Sequence, residues 1–201
     1  MPKMKRKRIE ESIQTSLDSG HVQVAIPHEV PEKILHNLEP DVAECINKAE
    51  VALQVNDLRS AEESCIDAIS KDTHCFEAYN IIGKVAFSRG QFGDASEAFK
   101  TAIKCESEFG EPYFYLGKIE MREENMSKSI EYFEKAIICE KNYAEWYWEL
   151  GQAYVEVRQY AKAVKVLKKA TSIDMENKEY RDLLTEVEEK HRTHSQYSRY
   201  K

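Results

Sequence analysis

Three glycines, Gly83, Gly117 and Gly151, stand 34 residues apart. Around each, the neighbours recur at fixed offsets. An aromatic lies four residues before it (Tyr79, Tyr113, Tyr147), a large aliphatic one before it (Ile82, Leu116, Leu150) and an alanine nineteen after it (Ala102, Ala136, Ala170). A constant period of this length constrains the chain to repeated supersecondary units, none of which buries its apolar face alone, so that neighbours must stack.

Within each period the apolar residues follow helical spacing. The unit 76–109 carries Tyr79, Ile82, Gly83, Gly90, Phe92, Ala95, Phe99 and Ala102. The unit 110–143 carries Tyr113, Leu116, Gly117, Phe133 and Ala136, with Glu124 in place of the turn glycine and Ser129 in place of the first alanine. The unit 144–177 supplies Tyr147, Leu150, Gly151, Tyr154, Tyr160, Ala163, Leu167 and Ala170. Residues 42–75 form a degenerate first unit: Leu58, Ala61 and Ala68 keep their offsets, while Ala49 replaces the glycine, Cys45 the aromatic and Lys48 the aliphatic. Small residues at the recurring positions let two helices approach closely, near the lower end of the usual interaxial range.

This pattern resembles the tetratricopeptide repeat (TPR) family. The resemblance implies an all-α fold, a right-handed α-solenoid of helix-turn-helix units closed by a C-terminal capping helix, and a non-enzymatic role in holding other proteins. Two family features are missing. Ala86 stands where a tyrosine is usual, and Thr73, Ser107, Lys141 and Met175 stand where a proline commonly ends each unit. The expected organisation is a leader over 1–40, a repeat domain over 41–192 with a capping helix at about 178–192, and a mobile tail over 193–201.

The charge of −7 is unevenly placed. Residues 3–8 hold Lys3, Lys5, Arg6, Lys7 and Arg8, whereas residues 41–189 hold 19 basic and 30 acidic side chains. An acidic repeat body opposes general nucleic-acid binding and favours a basic or mixed-charge amphipathic protein partner. The basic ends are the only sequence feature suited to nucleic acid or an anionic membrane, and the run at 3–8 would also serve as a nuclear import signal in a eukaryotic cell. In the leader, Ile9, Ile13 and Leu17 form one apolar stripe, a short helix that must dock, dimerise or stay mobile; self-association through it is the structural alternative to partner binding. Pro27, Pro31 and Pro40 interrupt the rest of the leader, with a short helix near Glu32–Leu38.

The five cysteines are an odd count without close pairs, and Cys105 and Cys139, at one repeat position, read as small buried hydrophobes; with neither a secretory h-region nor a membrane-length apolar run in the sequence, the cytoplasm or another reducing compartment is the expected location. Neither a phosphate loop nor a Ser/His/Asp arrangement nor HExxH occurs, and His191 and His194 alone have ligand-like spacing, so neither catalysis, a metal nor a cofactor is expected.

The resemblance implies that the first helix of each unit lines a concave groove. Its outward positions give Asn80, Lys84, Phe114, Tyr115, Lys118, Glu145, Trp148 and Gln152 as the candidate partner-binding residues. Glu77, Glu111 and Glu145 form an acidic edge that also suits the helix N-terminal dipole. Phe114, Tyr115 and Trp148 read as aromatics outside the core stripe, free to act as anchors. The family's chaperone-binding members clamp a terminal carboxylate with Lys, Asn and Arg at set positions. Here those positions hold Ile46, Glu50, Ile81, Glu111 and Tyr115, or Asn80, Lys84, Tyr115, Glu145 and Glu149, whose acids would repel it, so no such clamp is expected.

Overall fold

Each 34-residue period folds into two antiparallel helices. The structure, a computed structural model, describes residues 39–197. The basic run at 3–8, the Ile9–Leu17 stripe and the proline-broken stretch to Leu38 lie outside the described residues. Those described form α1 (Pro40–Gln54), α2 (Leu58–Lys71), α3 (Phe76–Ser88), α4 (Phe92–Cys105), α5 (Glu111–Arg122), α6 (Met126–Cys139), α7 (Ala144–Glu156), α8 (Tyr160–Ile173) and α9 (Lys178–Tyr197), with no strand among them. They divide between Glu106 and Ser107 into two compact units, α1–α4 and α5–α9.

Two local differences from the sequence reading have simple causes. Pro40 does not break structure but opens α1 at its first turn, where a missing N–H costs nothing. At the other end α9 continues through Tyr197, past the expected boundary at 192 and into the stretch read as a tail.

The turn inside each helix pair is the same object four times. Asn56, Gly90, Glu124 and Arg158, again 34 apart, all have positive φ (59°, 75°, 61° and 57°). Each closes a Schellman cap: in the third pair the Glu124 N–H donates to the Met121 carbonyl at 3.1 Å and the Asn125 N–H to the Glu120 carbonyl at 2.9 Å. Only one of the four is glycine. The turn is thus set by packing of the flanking helices, which overrides a local cost at the other three.

The second helix of each pair ends at an acidic residue in extended conformation: Asp72, Glu106, Glu140 and Asp174. An extended residue stops the helix without the proline. In two of the following loops the recurring tyrosine adds a tether, as the Tyr79 hydroxyl donates to the Thr73 carbonyl at 3.4 Å and the Tyr113 hydroxyl to the Ser107 carbonyl at 3.3 Å.

In the first unit the core is built by Ile46, Ala49, Ala61, Cys65, Ala68, Ile82 and Val85, all buried. Ala61, Cys65 and Ala68 fall at i, i+4 and i+7, one stripe of α2. The Glu62 carboxylate, also buried, is held by Arg89 Nη1 at 2.7 Å. Burial still raises the Glu62 pKa, against the lowering effect of that arginine. In the second unit Phe133, Ala136, Ala163, Leu167 and Ala170 have no exposure, and α9 packs against α8 with Val187 fully buried. Among the cysteines, Cys45, Cys65 and Cys75 are buried. Cys105 and Cys139 are only half-buried, a correction to the reading of both as buried, and all five are free thiols.

Candidate functional site

The candidate residues fall in both units. Asn80 and Lys84 lie on α3 of the first; Asn80 is 3% exposed and so is packed rather than offered, while Lys84 is half-buried. Phe114, Tyr115, Lys118, Glu145, Trp148 and Gln152 lie on α5 and α7 of the second unit, which makes that unit the place to look for a site.

Phe114 and Tyr115 do not stand free. Phe114 is buried, its ring stacked on Trp146 with centroids 5.5 Å apart, 5.7 Å from Phe133 and 5.6 Å from Tyr115 edge-on. Tyr115 is buried too, and desolvation pushes its hydroxyl pKa well up. The expectation that these aromatics have no packing role is therefore corrected. Phe114 is covered by Trp146, an oversized residue where the second and third repeats have Ala78 and Pro112. Its indole lies across Gly110, where an added Cβ would meet the ring at 2.8 Å, and on to Phe114. Tyr143 stacks on its other side at 4.3 Å. The sequence signal was present as a pair: Gly110 takes the position of Phe76, making room for Trp146.

Lys118 is also engaged. Its Nζ lies 3.4 Å from Glu145 Oε1, 3.2 Å from Glu149 Oε1 and 5.2 Å from the centre of the Phe114 ring. Glu149 is buried; desolvation raises its carboxyl pKa, and Lys118 opposes that shift. Gln152 Nε2 donates to Glu149 Oε2 at 3.5 Å. The ammonium and two carboxylates form an internal network tying α5 to α7, which takes up Glu145 of the acidic edge.

Trp148 differs. Its ring packs at 5.7 Å against Tyr180 of α9, and it remains partly exposed beside an open cleft of about 530 Å³. Gln152 completes the α7 wall; Lys178, Glu179, Asp182, Leu183 and Glu186 form the α9 wall. Sequence reasoning missed the α9 contribution because it read α9 only as a cover for the last repeat. Its stripe at 179, 182, 183 and 186 has the i, i+3, i+4, i+7 spacing of a single helix face, which was the available signal.

No group of three metal-ligating side chains occurs among the described residues, and no helix among them is long and apolar enough to cross a membrane. His194 rests edge-on against Tyr160 at 5.7 Å.

Helix pairs recurring at a constant period, with an open cleft beside the last of them, define an α-helical repeat protein. Tetratricopeptide repeat models match residues 46–105, 82–144 and 144–177, and the chain belongs to the tetratricopeptide repeat family, whose members are in general non-enzymatic scaffolds. No curated protein sequence matches it. Among solved structures it is similar to MamA (TM-score 0.63, 19% identity, 80% of this chain and 87% of that one). It is also similar to PilF of Pseudomonas aeruginosa (0.65, 19%, 78% and 72%) and to YrrB, a TPR protein with an unusual peptide-binding site (0.59, 20%, 71% and 74%). At these identities the likeness is one of fold.

Proposed function

We propose that this protein is an adaptor that holds an extended or helical segment of a partner protein on the α5–α7–α9 face of its second unit, with the cleft beside Trp148 as the anchor point. The observation carrying this reading is the contrast among the aromatics. Phe114 and Tyr115 are consumed by packing, whereas Trp148 keeps exposed ring surface at an open cleft with a polar rim, the usual make-up of an anchor pocket. A basic or mixed-charge segment suits the acidic body. Five free thiols support a reducing compartment such as the cytoplasm as the place of action.

The test is affinity capture from native extract with three full-length baits: wild type, Trp148→Ala, and Asp182→Lys. Asp182 is exposed, so its variant changes the cleft without touching the core. A partner lost from both variants is the expected outcome. Capture of the same set by all three baits would overturn the reading.

A further inference from the structure

The chemistry of the cleft between α7 and α9 narrows what can enter it. Trp148 Nε1 is buried and has no hydrogen-bond partner among the described residues, so the exposed part of this side chain is ring carbon. The indole N–H is thus withheld, and an acceptor group on a ligand gains nothing from it. What Trp148 offers the cleft is ring carbon, and Tyr180 packs against it at 5.7 Å and 38°.

The rim supplies the second constraint. Glu179, Asp182 and Glu186 outnumber Lys178, and of the three carboxylates only Glu186 is in an ion pair among the described residues, with Lys190. Glu179 and Asp182 are exposed and lie three residues apart on one face of α9. Lys118 is occupied by Glu145 and Glu149 on the α5 side. The cleft is therefore negative where a ligand would enter. Its apolar wall is formed by Trp148 and Leu183 beside these carboxylates, which an anionic group would meet.

We infer that this cleft is a receptor for an arginine side chain of the partner segment, the guanidinium plane lying on the Trp148 ring and its N–H fork donating to the carboxylates of Glu179 and Asp182. A planar, weakly hydrated cation satisfies both walls at once, stacking on an indole and bonding to carboxylates in the same plane. An ammonium engages the carboxylates as a point charge and lacks the stacking. The inference rests on the second unit being the segment-binding face, and it adds the identity of the group that is read.

The chain has two tryptophans, so its indole N–H region in an ¹⁵N spectrum holds two side-chain signals, assigned with Trp148→Phe. The full-length protein is titrated at constant ionic strength with N-acetyl-arginine amide, N-acetyl-lysine amide and N-acetyl-leucine amide. The expected result is a saturable shift of the Trp148 signal with the arginine probe, a several-fold weaker response to lysine and none to leucine. The Trp146 signal stays in place, since that ring is enclosed by Phe114 and Tyr143. Glu179→Gln with Asp182→Asn weakens the arginine probe by about fivefold, as removal of two exposed charge partners implies. An equal shift with leucine, a shift that does not saturate, or one that survives the double substitution overturns the arginine assignment. If Trp148→Ala and Asp182→Lys still lose the partner in the capture experiment, failure of the arginine assignment leaves the broader reading standing; if neither loses it, the broader reading falls separately.

Discussion

A Cβ placed on Gly117 would sit 2.6 Å from the ring of Phe133, and the same close approach recurs between Gly83 and Phe99 and between Gly151 and Leu167. The glycine is needed for space, because the residue sixteen positions later points its side chain at the helix backbone. In the first unit Ala49 replaces the glycine and Cys65 replaces the large partner, both fully buried. The degenerate unit is thus a compensated one, with volume moved from one side of the contact to the other.

That compensation can be reversed. Cys65→Phe alone should destabilise the protein by about 1–3 kcal/mol through overpacking against Ala49. Combining it with Ala49→Gly recreates the pair found in the second repeat and should recover at least half of the loss. Urea melts of the two single variants and the double variant provide the cycle.

The left-handed turn residues give a second prediction. Glu124 and Arg158 are exposed and hold φ values of 61° and 57°, a conformation that costs non-glycine residues. Replacing each by glycine should stabilise the fold by about 0.5–1 kcal/mol after glycine's own entropic cost. Gly90→Ala should lower stability by a similar amount. Thermal melts read all three, and a fall in melting temperature for Glu124→Gly would contradict the account.

Ser129 occupies the small-residue position filled by Ala95 and Ala163. It is fully buried, and its hydroxyl finds no partner among the described residues. Ser129→Ala should therefore be stabilising by about 1 kcal/mol, since it removes a desolvated polar atom and keeps the volume. Ala95→Ser should show the opposite sign by chemical denaturation.

Glu77 yields a pH dependence. It is 5% exposed, burial raises its carboxyl pKa above the ordinary 4.5, and Oε1 has no hydrogen-bond partner among the described residues. Because the folded state binds its proton more tightly than the unfolded state, stability falls as pH rises from 4.5 through the raised folded value. Glu77→Gln removes that slope. The variant should be more stable than wild type at neutral pH, and the gap should close as pH falls toward 4.5 in melts across pH 4–8.

The helix pairs and their small-residue contacts were legible in the sequence because they depend on offsets within one period. Gly83, Ala95 and Ala102 recur as a local pattern, and the structure puts them at close helix contacts. The positive φ at Arg158 was not legible, since arginine carries no preference for it. There the helix packing imposes the turn that glycine would otherwise signal.

The binding residues divide along the same line. By itself the sequence determined the class of object: the period, the helices, the core positions and the acidic character of the body. Only the tertiary structure decided which of those outward side chains are free. Trp146 crosses Gly110 to enclose Phe114, Lys118 is neutralised by Glu145 and Glu149, and α9 brings Glu179 and Asp182 beside Trp148. Each outcome depends on side chains contributed by a different helix. A repeat pattern fixes where a residue lies along its own helix, whereas exposure and charge pairing are set by what the neighbouring helix places against it.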